Sequence, residues 1–182
     1  MSKEINVIHP CLYKKAYHWT TQDKWKYALS LIPFLIAFLG TSYLLGTISV
    51  YLTLIFLGLY LIGNVFQAGA CTGCPYRGKY CPPVFGVYLG NILSTILYKH
   101  KKFDIKFIGI HAKFAEFVIY GTFLFPVYWL YTLDWYYLLI YIALLWIHLV
   151  TFMPNQCDKC SYNEICPGGI IWRKIRRTQP QA

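Results

Sequence analysis

Six of the seven cysteines fall into two short segments of matching pattern. The first reads Cys71-Thr-Gly-Cys74-Pro-Tyr-Arg-Gly-Lys-Tyr-Cys81-Pro82 and the second Cys157-Asp-Lys-Cys160-Ser-Tyr-Asn-Glu-Ile-Cys166-Pro167. Both follow C-x2-C-x-Y-x3/4-C-P. Two thiolates separated by two residues can face one ion from a tight turn, so the pattern points to metal or redox chemistry. Arg77, Lys79 and Lys159 stand nearby in sequence, and cations favour the thiolate over the thiol. Ordinary buried cysteines would not produce two matching loops in polar, charged surroundings. Disulfides form in oxidising compartments, and the charge pattern described below puts both loops in a reducing one.

An iron–sulfur cluster is the leading reading, because Cys thiolates hold such clusters and a Cys-Pro ending occurs in ferredoxin-type loops. Three cysteines per loop leave a four-iron cluster one ligand short. The missing ligand could be Cys11, a His or a partner's side chain, or the iron could stay open there and bind substrate. The expected cofactor is one or two 4Fe-4S clusters on Cys71, Cys74, Cys81, Cys157, Cys160 and Cys166. The alternative is zinc. Cys71, Cys74, Cys157 and Cys160 would make one four-thiolate centre bridging the two halves, with Cys81 and Cys166 to spare. Thiol–disulfide or sulfur-transfer chemistry stands third.

The loops resemble the C-x2-C-x5-C cluster loops of the SPASM domains in radical enzymes. The second loop has that spacing and the first has one residue more. A further Cys follows closely in that family, whereas Gly168-Gly169-Ile170 and Pro83-Val84-Phe85 stand in its place here. The likeness spans about eleven residues per loop and implies a ligand type, not a shared activity. A weaker, architectural likeness is to the membrane subunits that pass quinol electrons toward periplasmic nitrate reductase. Those carry C-x3-C-P motifs and a following ferredoxin domain, and this chain has neither.

The elements that must position the cysteines are hydrophobic. The chain has 182 residues, 57% hydrophobic and 13% charged, against roughly 25% charged in soluble domains. Tyr27 to Tyr76 contains no Asp, Glu, Lys or Arg, and Phe117 to Gln156 contains only Asp134. Each stretch is too long for one crossing of a hydrocarbon core about 30 Å thick and suits two. The expected spans are 28–46, 48–68, 114–131 and 135–152. Residues 1–26 are polar and mixed in charge, unlike a secretory signal, and 10–26 read as an interfacial lead-in.

All 17 Lys and Arg lie before the first span, between the second and third, or after the fourth. The turns near Gly46 and Asp134 have none. The positive-inside bias therefore puts both termini and both Cys loops in the cytoplasm, and the chain in the inner (cell) membrane as a multi-pass protein. Trp129, Tyr131, Trp135, Tyr136 and Tyr137 cluster at one outer turn like an interfacial aromatic belt. Topology and membrane lipid account for the net charge of +10, and nucleic acid is not an expected partner.

Residues 84–98 have apolar positions at helical spacing opposite Gly86, Gly90, Asn91, Ser94 and Thr95. They are too short for a span and read as an amphipathic helix lying in the interface or packed on the bundle. A basic linker follows at 99–112, and a short helix ends the chain after the second loop. The order of two spans, Cys loop and amphipathic helix thus occurs twice. The expected fold is an all-α integral membrane bundle of four transmembrane helices built as two parallel pseudo-repeats, 1–98 and 99–182, within one membrane domain.

His148 lies in the fourth span, and an intramembrane ionisable residue is a functional candidate. With Asn64 and Gln67 at similar depth it could line a quinone pocket. A packing role for His148 is the competing reading. His9, His18, His100 and His111 read as surface residues, and Lys113 and Glu116 as an i,i+3 ion pair. The functional expectation is a membrane-bound iron–sulfur subunit of a larger oxidoreductase complex, relaying electrons between a soluble cytoplasmic carrier and a quinone or membrane partner. The alternative is a zinc-stapled scaffold or assembly protein with no catalytic activity.

Overall fold

A computed structural model describes residues 18–74, 76–82, 88–100, 105–159 and 171–175. Its elements are helical: α1 (Thr21–Ile48), α2 (Val50–Ala70), α3 (Tyr88–Leu97), α4 (Ile105–Leu133) and α5 (Trp135–Gln156). Single 3-10 turns, Cys71–Gly73 and Cys157–Lys159, continue α2 and α5. The four long helices are each long and apolar enough to cross a membrane. The shortest, α2, has 21 residues, which at 1.5 Å per residue is about 30 Å. The chain is a multi-pass membrane protein with an all-helical bundle.

Helices α1, α2 and α5 start where the sequence supplies a cap. Thr20 and Asp23 form a reciprocal capping box at the start of α1, satisfying two of the amide groups that a helix N-terminus leaves open. The two hairpins turn in the same way, each through one extended residue. Ser49 has φ −163° and ψ 133°, and Asp134 has φ −169° and ψ 138°. Each side chain accepts from the amide two residues on, Tyr51 or Tyr136. Each turn is closed by the same backbone bonds: Ser49 N to Leu45 O and Leu52 N to Ser49 O, then Asp134 N to Leu130 O and Tyr137 N to Asp134 O. A side chain that caps the next helix lets one residue reverse the chain.

The long helices form a ring in the order α1, α2, α4, α5, and each packs on its two neighbours. The buried face of α1 is Tyr27, Ser30, Phe34, Ala37, Thr41 and Leu45, and that of α5 is Tyr141, His148, Phe152 and Gln156. These spacings lay each set along one side of a helix. Phe34, Ala37, Phe123, Leu130 and Tyr141 make the central cluster. Leu39, Leu54, Phe117, Leu124 and Ile140 point outward and are exposed, while Ser30, Thr41, Asn64, Thr122 and His148 are buried. Apolar side chains outside and polar ones inside suit a bundle surrounded by lipid.

α3 is amphipathic, as its spacing predicts, and lies against α2. Its orientation is the reverse of a soluble helix. Gly90 and Ser94 are buried, whereas Leu89, Ile92, Ile96 and Leu97 are exposed. Two of the spans, α1 and α4, start earlier than hydropathy alone predicts. α1 begins within the stretch read as a lead-in, and α4 begins at Ile105, inside the stretch read as a basic linker. The reason is tertiary. Phe107 and His111 stack at 3.9 Å between centroids, Tyr98 meets both rings edge-on, and Phe66 of α2 packs on His111 and Phe114. Aromatic burial extends the helix past its charged residues.

Candidate metal centre

The first cysteine loop is built from its own turns and from α3. Cys74 N donates to Cys71 O at 3.1 Å, Arg77 N to Cys74 O at 3.0 Å and Lys79 N to Tyr76 O at 2.8 Å. Gly78 has φ 71°, a left-handed value that glycine adopts without a Cβ penalty. Asn91 of α3 holds this loop from beneath. Its Nδ2 donates to Tyr76 O at 3.1 Å and Lys79 O at 2.8 Å, and its Oδ1 accepts from Gly78 N at 3.0 Å. In return Arg77 donates from one guanidinium nitrogen to Ser94 O at 2.7 Å and Tyr98 O at 2.6 Å, satisfying carbonyls at the end of α3. The polar face of α3 is spent on the loop, which is why its apolar face points outward.

The two cysteine turns meet. Tyr76, between Cys74 and Cys81, donates from its hydroxyl to the Lys159 carbonyl at 3.0 Å. Lys159 belongs to the turn that Cys157 opens, and its ammonium pairs with Asp23 near the start of α1. Trp19 packs on Tyr76 and Tyr80, with centroids 6.1 and 6.0 Å apart. The ammonium of Lys159 lies 5.9 Å from the Trp19 ring centroid, and that of Lys24 lies 5.2 Å from that of Tyr80. Both distances fall within cation–π range. Tyr27 continues the cluster to Tyr80 and Phe152. Sequence reasoning missed Trp19, Asp23, Tyr76 and Tyr80 as parts of the site. The Tyr shared by the two loops was the one available signal.

Cys71, Cys74, Cys81 and Cys157 are each half-buried around these turns. Cys160 and Cys166, with Cys11 and His9, lie outside the described residues. Among the described residues no group of three or more His, Cys, Asp or Glu is arranged to hold a metal ion. The donor chemistry of the first turn suits a thiolate ligand: the Gln67 amide nitrogen donates to Cys71 Sγ at 3.9 Å.

His148 is on α5, and Asn64 and Gln67 are on α2. His148 is fully buried between α1 and α5, where its Nδ1 donates to Ser30 O at 2.6 Å and its ring packs on Phe34 and Phe152. A carbonyl only accepts, so Nδ1 carries the proton of the neutral ring. Asn64 is fully buried on α2, donates to Tyr60 O at 2.8 Å, and its Oδ1 has no hydrogen-bond partner among the described residues. Gln67 faces Cys71 and α3. Gln156, just before Cys157, is buried, and among the described residues neither polar atom of its amide has a partner.

Two surface expectations change. His111 is half-buried, donates from Nδ1 to Phe107 O at 2.9 Å, and lies directly over Gly69, where an added Cβ would stand 2.1 Å from its Cδ2. Lys113 and Glu116 form no ion pair among the described residues. Glu116 is half-buried, while Lys113 is exposed.

Fold and site together define a multi-pass helical membrane protein with a braced cysteine loop at one end. No family model matches the chain, and no curated protein or solved structure matches it either.

Proposed function

We propose that the chain is a membrane-bound iron–sulfur subunit that relays electrons between a cytoplasmic donor and a quinone or membrane partner. The observation that carries this reading is the contact between the first loop and the turn that opens the second, Cys157–Lys159, in which Tyr76 donates to the Lys159 carbonyl. Cys71, Cys74 and Cys81 from the first loop and Cys157, Cys160 and Cys166 from the second are the proposed ligands. A 4Fe-4S cluster held there would supply one-electron transfer. The protein's own contribution is to fix the thiolates: Asn91 and Arg77 brace the first loop, and Gln67 donates to Cys71.

The positive-inside bias supports a cytoplasmic position for both loops and both termini in the inner (cell) membrane. The matching turns at Ser49 and Asp134, and a ring in which exchanging α1 with α4 and α2 with α5 preserves every neighbour, support two parallel pseudo-repeats. The chain carries no nucleotide or flavin motif, so it would act within a larger oxidoreductase complex.

A second reading, a zinc-stapled scaffold with no catalytic activity, is favoured by the contact between Tyr76 and Lys159. A single tetrathiolate ion would tie the two halves across the same gap. The two readings separate on redox behaviour. Protein purified without oxygen, reduced with dithionite and then mixed with a soluble quinone should lose and regain broad visible absorbance. Colourless protein that neither bleaches nor reoxidises overturns the relay.

A further inference from the structure

We propose that Gln67 is a positioning residue of the metal centre, acting through a hydrogen bond from its side-chain amide to the sulfur of Cys71. The inference rests on the reading of Cys71 as a thiolate ligand. Gln67 precedes Cys71 by one helical turn, so both project on the same side of α2. The amide nitrogen lies 3.9 Å from Sγ, within range for a sulfur acceptor.

α3 holds the amide there. A Cβ added at Gly90 would stand 2.8 Å from Gln67 Cγ, 3.0 Å from its Cβ and 3.4 Å from Asn64 O. Only a residue without a side chain lets α3 lie this close over Gln67. The next residue, Asn91, makes the three bonds that fix the loop carrying Cys74 and Cys81. One face of α3 thus sets both the loop and the donor to Cys71.

Gln67 is uncharged and half-buried at the end of an apolar helix, where a polar group needs a partner. A leucine or methionine would fill the same space without one. What the amide adds is a donor. A donor to a ligand sulfur draws electron density from it and stabilises the reduced, more negative state of the centre, which raises the reduction potential. The low dielectric near the bundle end strengthens the effect.

The test compares wild type, Gln67→Met and Gln67→Asn, purified without oxygen in detergent. Met keeps the bulk and removes the donor, and Asn keeps an amide but shortens its reach. Iron and sulfide are counted per chain and the midpoint potential is titrated. The expected result is unchanged iron and sulfide with a lower midpoint in both variants. A midpoint that stays at the wild-type value in variants that retain iron overturns the role of Gln67 and leaves the cluster reading standing. Wild-type protein without iron and sulfide overturns the cluster reading and this inference with it.

Discussion

The hydroxyl of Tyr76 donates to the backbone carbonyl of Lys159 at 3.0 Å, joining the two cysteine loops across residues far apart in sequence. The same Lys159 pairs through its side chain with Asp23 on α1. One residue of the second loop therefore ties down both the first loop and the start of the bundle. Replacing Tyr76 with Phe keeps the ring against Trp19 and removes only the donor. The expected cost is about 0.5–1.5 kcal/mol, read as a lower thermal midpoint in detergent, with the inter-loop distance by spin labels widened or broadened.

Asp23 is 7% exposed and answers to both the helix cap and the ion pair. Lys159→Met leaves that carboxylate without its cation and should cost about 1–3 kcal/mol. Asp23→Asn should cost less, because an amide needs no counter-charge. The double variant should be more stable than the two single losses summed, since the partners share one interaction. Strict additivity in thermal unfolding would show that the pair carries no coupling.

Two polar side chains of α5 bond carbonyls one turn before a helix proline. His148 reaches Ser30 O ahead of Pro33, and Tyr141 reaches Phe123 O at 3.0 Å ahead of Pro126. Proline removes the bond to the carbonyl four residues before it, which is Leu29 O for Pro33 and Thr122 O for Pro126, so His148 and Tyr141 bond the carbonyls next to the freed ones. Such bonds within a membrane bundle are worth about 0.5–2 kcal/mol. Tyr141→Phe and His148→Leu should each lower stability by that order with metal content unchanged. Metal lost from His148→Leu at full stability would instead assign the ring to the centre.

Gly69 meets the His111 ring so closely that Gly69→Ala forces α2 and α4 apart. An overpacking cost of about 1–3 kcal/mol is expected. Shortening the ring in Gly69→Ala/His111→Ala should recover part of it, measured by the same unfolding assay. No recovery would mean that the helices separate for another reason.

Four helices and a short amphipathic one were legible in the sequence because uncharged runs of such length have few other solutions. The spacing at Ile92 and Ile96 gave α3 as a helix, and Gly90, Asn91 and Ser94 marked its other face. What spacing could not reveal is that this polar face is the inner one. Asn91 and Arg77 spend their hydrogen bonds on each other's elements, a long-range exchange without periodic signature. The extension of α4 back to Ile105 has the same origin, since charge near Lys106 and Lys113 hid the stacking of Phe107 on His111. The cysteine loops stood out by pattern, but the cluster of Trp19, Asp23 and Tyr80 beside them did not. Those residues are distant in sequence and individually ordinary.

The central claim is that the paired loops hold iron and sulfide. The most direct measurement is metal and acid-labile sulfide per chain in anaerobically purified protein, for wild type and for Cys71→Ser and Cys157→Ser. The account predicts iron and sulfide in near-equal amounts, about four or about eight of each, falling in both variants. About one zinc per chain with no sulfide would contradict it and leave the stapled scaffold.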